Sequence, residues 1–485
     1  MSARRGRGAA RLALLASAAL SSWAYVAPPT ALAHGLSGRQ DVPLPTWLFL
    51  WGAALVLIVS FVALATLWPR PRLQEEHWRA LPRGFSRVVV GAPVAVLCGA
   101  IGFALLGLVL VAGFEGTSNT GDNFTPTFVY IAFWLGLLPL SLLFGDVFRA
   151  FNPWRAPARA IAWLATKAAG EPLPAPLTYP ERLGRWPAVV GVLAFGWLEL
   201  AANGGDQPQT IATAALIYSV VTWAGMALYG IDAWTNRGEA FSVYFNLVAR
   251  MSIFERRRDE IGVRRLLSGL PRWEPAPGSV VFVCALIGVV TFDGFSAGPT
   301  WNDWIPAVQD RIVSLGFDRV NALEVMFGLG MLLTVALTCG FYMLGIWGVR
   351  RIGGGFTARE LATSFAHTLG PIALVYAVAH YFSFFMFQGQ DVIRLVSDPL
   401  GDGSDVFGTA TGEIDFTIIS TKFIWYFQVA AVIAGHVAAL VLAHDRAIAI
   451  YQDAKQALRS QYWMLAVMVG FTTLALWLLS ESSKL

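Results

Sequence analysis

The chain is poor in charged residues. Lysine, arginine, aspartate and glutamate make up 14% of its 485 residues, whereas a soluble globular domain has about 25%. Hydrophobic residues make up 56%, and the mean hydropathy is +0.57. Several apolar runs exceed the ~20 residues that a helix needs to cross a bilayer. The composition therefore excludes an ordinary soluble domain and predicts a polytopic membrane protein.

Cysteine is scarce as well. The chain has 3 cysteines, and no two of them form a C-x-x-C pair. Each lies inside an apolar run: Cys98, Cys284 and Cys339. This pattern excludes a disulfide framework and a thiolate metal site. The sequence also contains no G-x-x-x-x-G-K-[ST] and no H-E-x-x-H motif, so neither a P-loop nor a thermolysin-like zinc site is expected.

The first residues have the order of a secretory signal peptide. A basic segment (residues 4–7) precedes an apolar run, and an Ala-Leu-Ala sequence ends at Ala33. This is the positive region, apolar region and A-x-A cleavage pattern of such peptides. We therefore expect residues 1–33 to be removed. Residues 34–485 are expected to form a single membrane domain that begins at His34.

Ten apolar segments follow, and each should be a helix because backbone polar groups in lipid must pair within their own segment. The connecting segments alternate between basic and acidic along the chain. Since basic loops stay in the cytoplasm, both termini are expected outside it. We predict an all-α integral membrane protein with about ten transmembrane helices in the plasma membrane. The predicted spans are residues 46–68, 88–113, 128–148, 186–203, 209–231, 279–296, 323–347, 361–388, 421–443 and 461–480.

Four of the six histidines fall on spans eight and nine or at their ends. Ionisable residues inside a span are costly and are functional candidates by default. At 1.5 Å per residue, His380 and His436 lie roughly 12 and 22 Å below the outer surface. His367 and His444 lie near the inner boundary, where Asp445 follows His444. A single site for all four histidines is therefore not expected.

Two carboxylates extend the outer set of candidates. Glu199 and Asp293 lie near the outer ends of spans four and six. With His34, His380 and His436 they form a predicted site for a divalent metal ion whose identity is open. Such an ion lowers the pKa of a bound water to about 7 and supplies a hydroxide nucleophile.

A structural interpretation is open for each candidate. His436 would then donate to a backbone carbonyl, while Glu199 and Asp293 would cap helices or pair with loop arginines. His444 beside Asp445 is typical of a residue at the membrane interface. These two residues and His367 are therefore secondary candidates.

Two features of the basic side are predicted to be structural. Asp146, Arg149 and Asp232 lie at the inner ends of spans three and five, which favours a salt bridge there. Residues 156–169 combine Arg159 and Lys167 with apolar side chains at helical spacing. That pattern predicts a helix lying in the inner interface.

The chain resembles a group of actinobacterial polytopic membrane proteins labelled fenitrothion hydrolase. The matching stretches are the start at His34, the sequence Asn-Pro-Trp-Arg at 152–155, HYFSFFMFQGQD at 380–391 and HVAALVLAHDRA at 436–447. The similarity extends along most of the mature chain. It implies hydrolysis of an organophosphate triester, but it carries over no catalytic residues.

The sequence therefore leaves three alternative functions undecided. The first is a metal-dependent hydrolase of apolar phosphotriesters, with an active site inside the membrane. The second is a transporter of metal ions or small molecules, although the spans show no clear inverted repeat. The third is a non-catalytic subunit of a larger membrane complex. The expected partners are the lipid bilayer and, for the third function, other membrane subunits; no nucleic acid is expected.

Overall fold

The computed structural model describes residues 46–75, 77–353, 355–451 and 454–482, and nearly all of the regular structure in these ranges is helical. The predicted signal peptide and His34 lie outside the described residues. The first half contains α1 (Thr46–Leu67), α2 (Arg83–Val89), α3 (Ala92–Glu115), α4 (Phe124–Thr127), a π-helix (Phe128–Leu135), α5 (Leu137–Phe144), α6 (Val147–Phe151), α7 (Arg155–Ala169), α8 (Trp186–Leu200), α9 (Pro208–Tyr229), α10 (Ile231–Arg237) and α11 (Ala240–Ala249).

The second half contains α12 (Ser279–Ser296), α13 (Pro299–Val313), α14 (Arg319–Gly353), α15 (Ala358–Phe365), α16 (Gly370–His380), α17 (Phe382–Gln388), α18 (Asp391–Ser397), α19 (Thr421–Tyr451) and α20 (Ala454–Ser482). A helix occupies every segment predicted to be a span. Within the described ranges, 7 helical segments are long and apolar enough to cross a membrane. The predicted all-α membrane class is therefore confirmed.

Helix α12 forms the centre of the bundle. Phe282, Val283 and Cys284 are completely buried, as expected for a helix that is apolar on all sides. It packs against α8, α14 and α16, and α16 packs in turn against α19. The contact with α14 is close because Gly288 faces Val335, and a Cβ at Gly288 would lie 2.6 Å from the Val335 Cα.

A small antiparallel sheet joins two of the basic segments. Strand β1 (Trp78–Ala80) lies beside β3 (Glu260–Arg264), which also pairs with β2 (Phe254–Arg257). These strands belong to the predicted inner segments 69–87 and 232–278. The sheet therefore places both segments at the same end of the bundle, as the charge alternation predicts.

A salt bridge adds the third basic segment to this end. The Asp232 Oδ1 lies 2.8 Å from the Arg155 Nη2 and 3.7 Å from the Arg149 Nη2. Burial opposes ionisation of Asp232, but the Arg155 guanidinium outweighs it, and the pKa of the carboxyl is lowered. At the other end, the Arg394 Nη1 lies 3.1 Å from the Asp122 Oδ1 and joins two acidic segments. The predicted ion pairing of Asp232 is confirmed.

Helix α11 is buried although it belongs to a segment predicted to connect two spans. Phe245 and Leu247 at its centre are almost completely shielded. Its N-cap Glu239 accepts hydrogen bonds from the backbone N–H of Phe241 and Ser242, at 2.9 and 2.8 Å. Burial raises the pKa of this carboxyl. The segment folds back into the bundle and packs against α5 and α8.

The Asn-Pro-Trp-Arg sequence at 152–155 connects this helix to its neighbours. The Asn152 side-chain amide donates to Glu239 and to the Ser242 hydroxyl, at 3.3 and 3.0 Å. The Trp154 indole donates to the Ser219 hydroxyl on α9 at 2.8 Å. Residues 152–155, one of the stretches that carry the family resemblance, therefore have a structural role in the fold.

The predicted interfacial helix is confirmed as a helix, α7. Ile161, Trp163 and Leu164 are exposed on it, and the Lys167 Nζ lies 5.9 Å from the centre of the Trp163 ring. Exposed tryptophan and aliphatic side chains beside cations are typical of a helix that lies in the headgroup region.

Candidate functional site

The predicted eighth span is interrupted, and the interruption determines where His380 lies. Helix α15 ends at Phe365, a 3₁₀ turn covers Ala366–Leu369, and α16 begins at Gly370. Pro371 occupies the first turn of α16, where its missing N–H costs no hydrogen bond. Helix α16 ends at His380, and α17 begins two residues later. The imidazole is thus held at a bend of the span.

Asp293 on α12 receives two side chains from this bend. The His380 Nε2 lies 2.9 Å from the Asp293 Oδ2, and the Tyr381 hydroxyl donates to the same oxygen at 2.5 Å. The side chain of Asp293 is 3% exposed and that of His380 is 18% exposed. A buried carboxylate therefore holds a histidine that is partly accessible.

Aromatic residues enclose this group. The Trp134 ring lies edge-on to the Tyr381 ring with 4.9 Å between centroids. Trp134 belongs to the π-helix, a rare local geometry that often occurs at functional sites. Tyr130 on the same π-helix donates to the Gly205 carbonyl at 2.7 Å.

Glu199 adds a second carboxylate nearby. It lies on α8, its Oε2 is buried, and it acts electrostatically on Tyr381 and Tyr130. Beside the histidine, Gly294 leaves room: a Cβ there would lie 3.6 Å from the His380 Nδ1. The structure thus brings two of the predicted residues, Asp293 and His380, into contact and places Glu199 near their neighbour Tyr381.

A complete metal site is not formed by these residues alone. Among the residues that the structure describes, no three His, Cys, Asp or Glu side chains form a group that could hold a metal ion. His34, the remaining member of the predicted outer set, lies outside the described ranges. The metal prediction therefore depends on a ligand beyond the described part of the chain.

His436 is completely buried on α19 and lies apart from this group. Its Nδ1 donates to the Val432 carbonyl at 2.8 Å, one turn earlier. Its ring centroid lies 6.5 Å from that of Phe471. Among the described residues its Nε2 has no hydrogen-bond partner. The arrangement matches the structural interpretation, in which a backbone carbonyl satisfies one nitrogen.

His367 is likewise buried, in the 3₁₀ turn before α16. It bonds to the Ser364 backbone, and within the described ranges its Nε2 has no hydrogen-bond partner.

His444 and Asp445 form an inner clasp, by which we mean these two residues and their bonds to residues 68–74. The His444 Nδ1 lies 2.8 Å from the Gln461 Oε1, and its Nε2 lies 3.2 Å from the Trp68 carbonyl oxygen. Asp445 accepts from the Trp68 indole and from the backbone N–H of Leu73, at 3.0 and 3.1 Å. The clasp holds the chain that follows α1, and both of its side chains are buried within the protein.

Sequence reasoning missed two residues beside His380. Tyr381 follows His380 directly, yet only the fold shows that its hydroxyl reaches Asp293. Residues 294–298 read G-F-S-A-G, the G-x-S-x-G pattern of hydrolases with a serine nucleophile. That motif belongs to a strand–turn–helix elbow, whereas Ser296 lies in the last turn of α12 and its hydroxyl donates to the Asp293 carbonyl at 3.0 Å. The elbow geometry is absent.

No protein-family model matches this chain, and no curated protein or solved structure matches it. The class of protein is therefore inferred from the sequence and structure of this chain alone. It is a helical membrane protein with an Asp–His–Tyr group in which the carboxylate is buried and the histidine is partly accessible.

Proposed function

We propose that the chain is a multi-pass plasma-membrane protein with ten transmembrane helices after removal of residues 1–33. The grouping of the basic segments 69–87, 149–185 and 232–278 at one end supports this topology. That end faces the cytoplasm because basic loops resist translocation. The Asp293–His380 pair then lies in the outer half of the membrane.

The proposed activity is hydrolysis of apolar phosphotriesters within this outer half. One observation carries the proposal: a buried carboxylate orients a partly exposed imidazole, whose Nδ1 lies on the side of Gly294. A carboxylate that bonds one histidine nitrogen fixes the tautomer and stabilises the imidazolium that forms in catalysis. The arrangement suits a general base. A lipid-embedded site also suits an apolar substrate.

The reaction follows from this geometry. His380 Nδ1 accepts a proton from water as the water oxygen bonds to phosphorus, and the bond from phosphorus to the aryl oxygen breaks. The leaving group departs as a phenolate, and the imidazolium returns its proton to it. Asp293 stays ionised and stabilises the cationic ring. Tyr381 holds Asp293 in position.

The activity is tested with an aryl phosphorothioate triester added to proteoliposomes, with nitrophenol release as the measurement. We expect His380→Gln to lower the rate by about 10²–10⁴-fold, the usual contribution of a general base. His77→Gln, in an exposed loop, is the matched control and should keep the full rate. Equal release by wild type and His380→Gln rejects the proposal, and loss in Ser296→Ala alone points to serine attack instead.

A divalent metal remains part of the proposal. His380, Asp293 and Glu199 offer the imidazole and carboxylate donors that such ions take. If the His380 Nδ1 held an ion, the ion would supply a more acidic water and the imidazole would not act as the base. The described residues do not complete the donor set, so no step is assigned to the ion. We expect purified wild-type protein to contain a divalent metal by elemental analysis and His380→Ala to contain less. Unchanged metal content in His380→Ala contradicts the metal site.

A second candidate function is proton-coupled transport. The break between α15 and α16 favours it, because discontinuous spans next to ionisable residues are typical of transporters. Proton uptake into proteoliposomes on addition of a candidate solute, lost in His380→Gln, would select this function. Hydrolysis of the triester without proton uptake would select the hydrolase.

A further inference from the structure

A basic cavity lies at the inner end of α1, far along the chain from the Asp–His–Tyr group. Its volume is about 440 Å³. The lining has three arginines and one glutamate, so its net charge is positive. The lining residues are Trp68, Arg70, Arg72, Leu73, Glu75 and Arg265.

Local contacts hold two of the three guanidiniums at the cavity. The Arg72 guanidinium carbon lies 4.8 Å from the centre of the Trp68 ring, and its Nη2 donates to the Leu67 carbonyl at 3.2 Å. The Arg265 Nη1 donates to the Arg72 carbonyl at 3.3 Å. Arg70 is exposed, and within the described residues its guanidinium has no ion pair. Most of the positive charge is thus available to a ligand.

The wall of the cavity is preorganised by the inner clasp. Asp445 accepts from the backbone N–H of Arg72 and of Leu73, at 2.5 and 3.1 Å. This fixes the backbone between the arginines before any ligand arrives. Glu75 is the acidic residue of the lining, and its carboxylate lies 3.7 Å from the His77 Nε2.

Apolar side chains mark this cavity as lying at the membrane surface. Leu67, one residue before Trp68, is 70% exposed, and Leu266, next to Arg265, is 56% exposed. Phe85 and Val88 on α2 are also exposed. Arginines next to lipid-facing leucines and a tryptophan are the surroundings that a phospholipid headgroup requires.

We propose that this cavity binds the phosphodiester headgroup of an anionic phospholipid. Guanidiniums of Arg70, Arg72 and Arg265 bind the phosphate oxygens, and the exposed leucines contact the acyl chains. Arginine is suited to this role because its planar donors match phosphate oxygens in pairs. The proposal does not depend on the hydrolase or on the Asp–His–Tyr group.

The test is native mass spectrometry of full-length protein in nanodiscs of phosphatidylglycerol and phosphatidylcholine in equal amounts. Wild type should retain phosphatidylglycerol preferentially. Arg70→Gln should lower that retention about fivefold, the factor expected for one arginine at an anionic surface. The triple change of Arg70, Arg72 and Arg265 to Gln should abolish the preference.

Arg182→Gln is the matched control, since Arg182 is exposed in another basic segment and does not line the cavity. Arg70→Gln keeps the test valid if the triple variant fails to fold. Equal retention by wild type and Arg70→Gln overturns the proposal, as does an equal loss in Arg182→Gln. Thermal protection by inorganic phosphate without any preference for phosphatidylglycerol overturns the lipid assignment.

Discussion

Two buried aspartates, Asp293 and Asp445, differ in the kind of partner that holds them. Asp445 accepts from an indole, two backbone N–H groups and the Gln74 amide, none of which titrates near neutral pH. Asp293 accepts from an imidazole and from a phenol. Burial alone does not separate them. The chemistry of the partners does, because the donors to Asp445 keep their protons whereas an imidazole can take up and release a proton beside a carboxylate that stays ionised.

The neighbouring histidines differ in the same way. His444 is 3% exposed, and both of its ring nitrogens face carbonyl oxygens. His380 is partly accessible, and its Nε2 faces a carboxylate. The inner pair therefore joins elements of the fold, while the outer pair is the one that we propose moves a proton. Substitutions at Asp293 and Asp445 test whether the two carboxylates have these different roles.

Asp293→Asn should produce the largest effect on the rate of phosphotriester hydrolysis. The amide keeps the size of the side chain but removes the charge that stabilises the imidazolium, so we expect a fall of about 10²-fold or more. The measurement is nitrophenol release in proteoliposomes, normalised to folded protein. A matched Asp445→Asn variant should keep its rate per folded molecule. Equal rates for wild type and Asp293→Asn would contradict the proposed role of Asp293 in hydrolysis.

Asp445→Asn should instead produce the larger loss of stability. The inner clasp loses its charge, and the amide N–H₂ group faces donors, so we expect a loss of about 2–4 kcal/mol in the free energy of unfolding. Thermal unfolding in detergent measures it as a lower Tm. Asp303→Asn, at an exposed position on α13, serves as the control. A Tm for Asp445→Asn as high as that of wild type contradicts the structural role of the clasp.

A smaller, pH-dependent effect is expected in the acidic outer loop at 398–417. Hydrogen bonds from the Ser397 hydroxyl and the Ala410 N–H lower the pKa of Asp405. Since the folded-state pKa is depressed, the stabilisation is present above the unfolded pKa of about 3.9. It is lost as pH falls through the lower folded value. Hydrogen exchange of this loop at pH 5 and pH 3 measures the change.

In Asp405→Asn, the pH-dependent part of that exchange should be smaller than in wild type. Asp405 differs from the two buried aspartates, Asp293 and Asp445, because its carboxylate is exposed. Its effect should therefore stay within the loop. A pH dependence that spreads to α12 or α16 would show that the loop is coupled to the Asp–His–Tyr group.

Much of the helical framework could be predicted from local sequence. Apolar runs are properties of a single segment, and a helix occupies each of the ten predicted spans. The break between α15 and α16 also has a local cause, because Pro371 in the first turn of α16 disrupts the helix before it. The bounds differ at the ends: α14 and α19 extend well beyond the predicted spans, since a helix continues into water when its polar residues remain compatible with it.

The burial of α11 could not be predicted in this way. Its residues 240–249 are apolar but too few to cross a bilayer, so only their packing against α5 and α8 shows where they lie. The hydrogen-bond partner of His436 could not be predicted from the sequence for a similar reason. Its face depends on the rotation of α19, and the fold turns its Nδ1 toward the Val432 carbonyl.

The sequence by itself determined that this is a helical membrane protein and which loops share a side, because hydropathy and loop charge are local quantities that act segment by segment. Only the tertiary structure decided that His380 meets Asp293, which is 87 residues away in the chain. The physical reason is that such a contact depends on the rotation and depth of two packed helices. Those are settled by side-chain packing over the whole bundle, and no single segment contains that information.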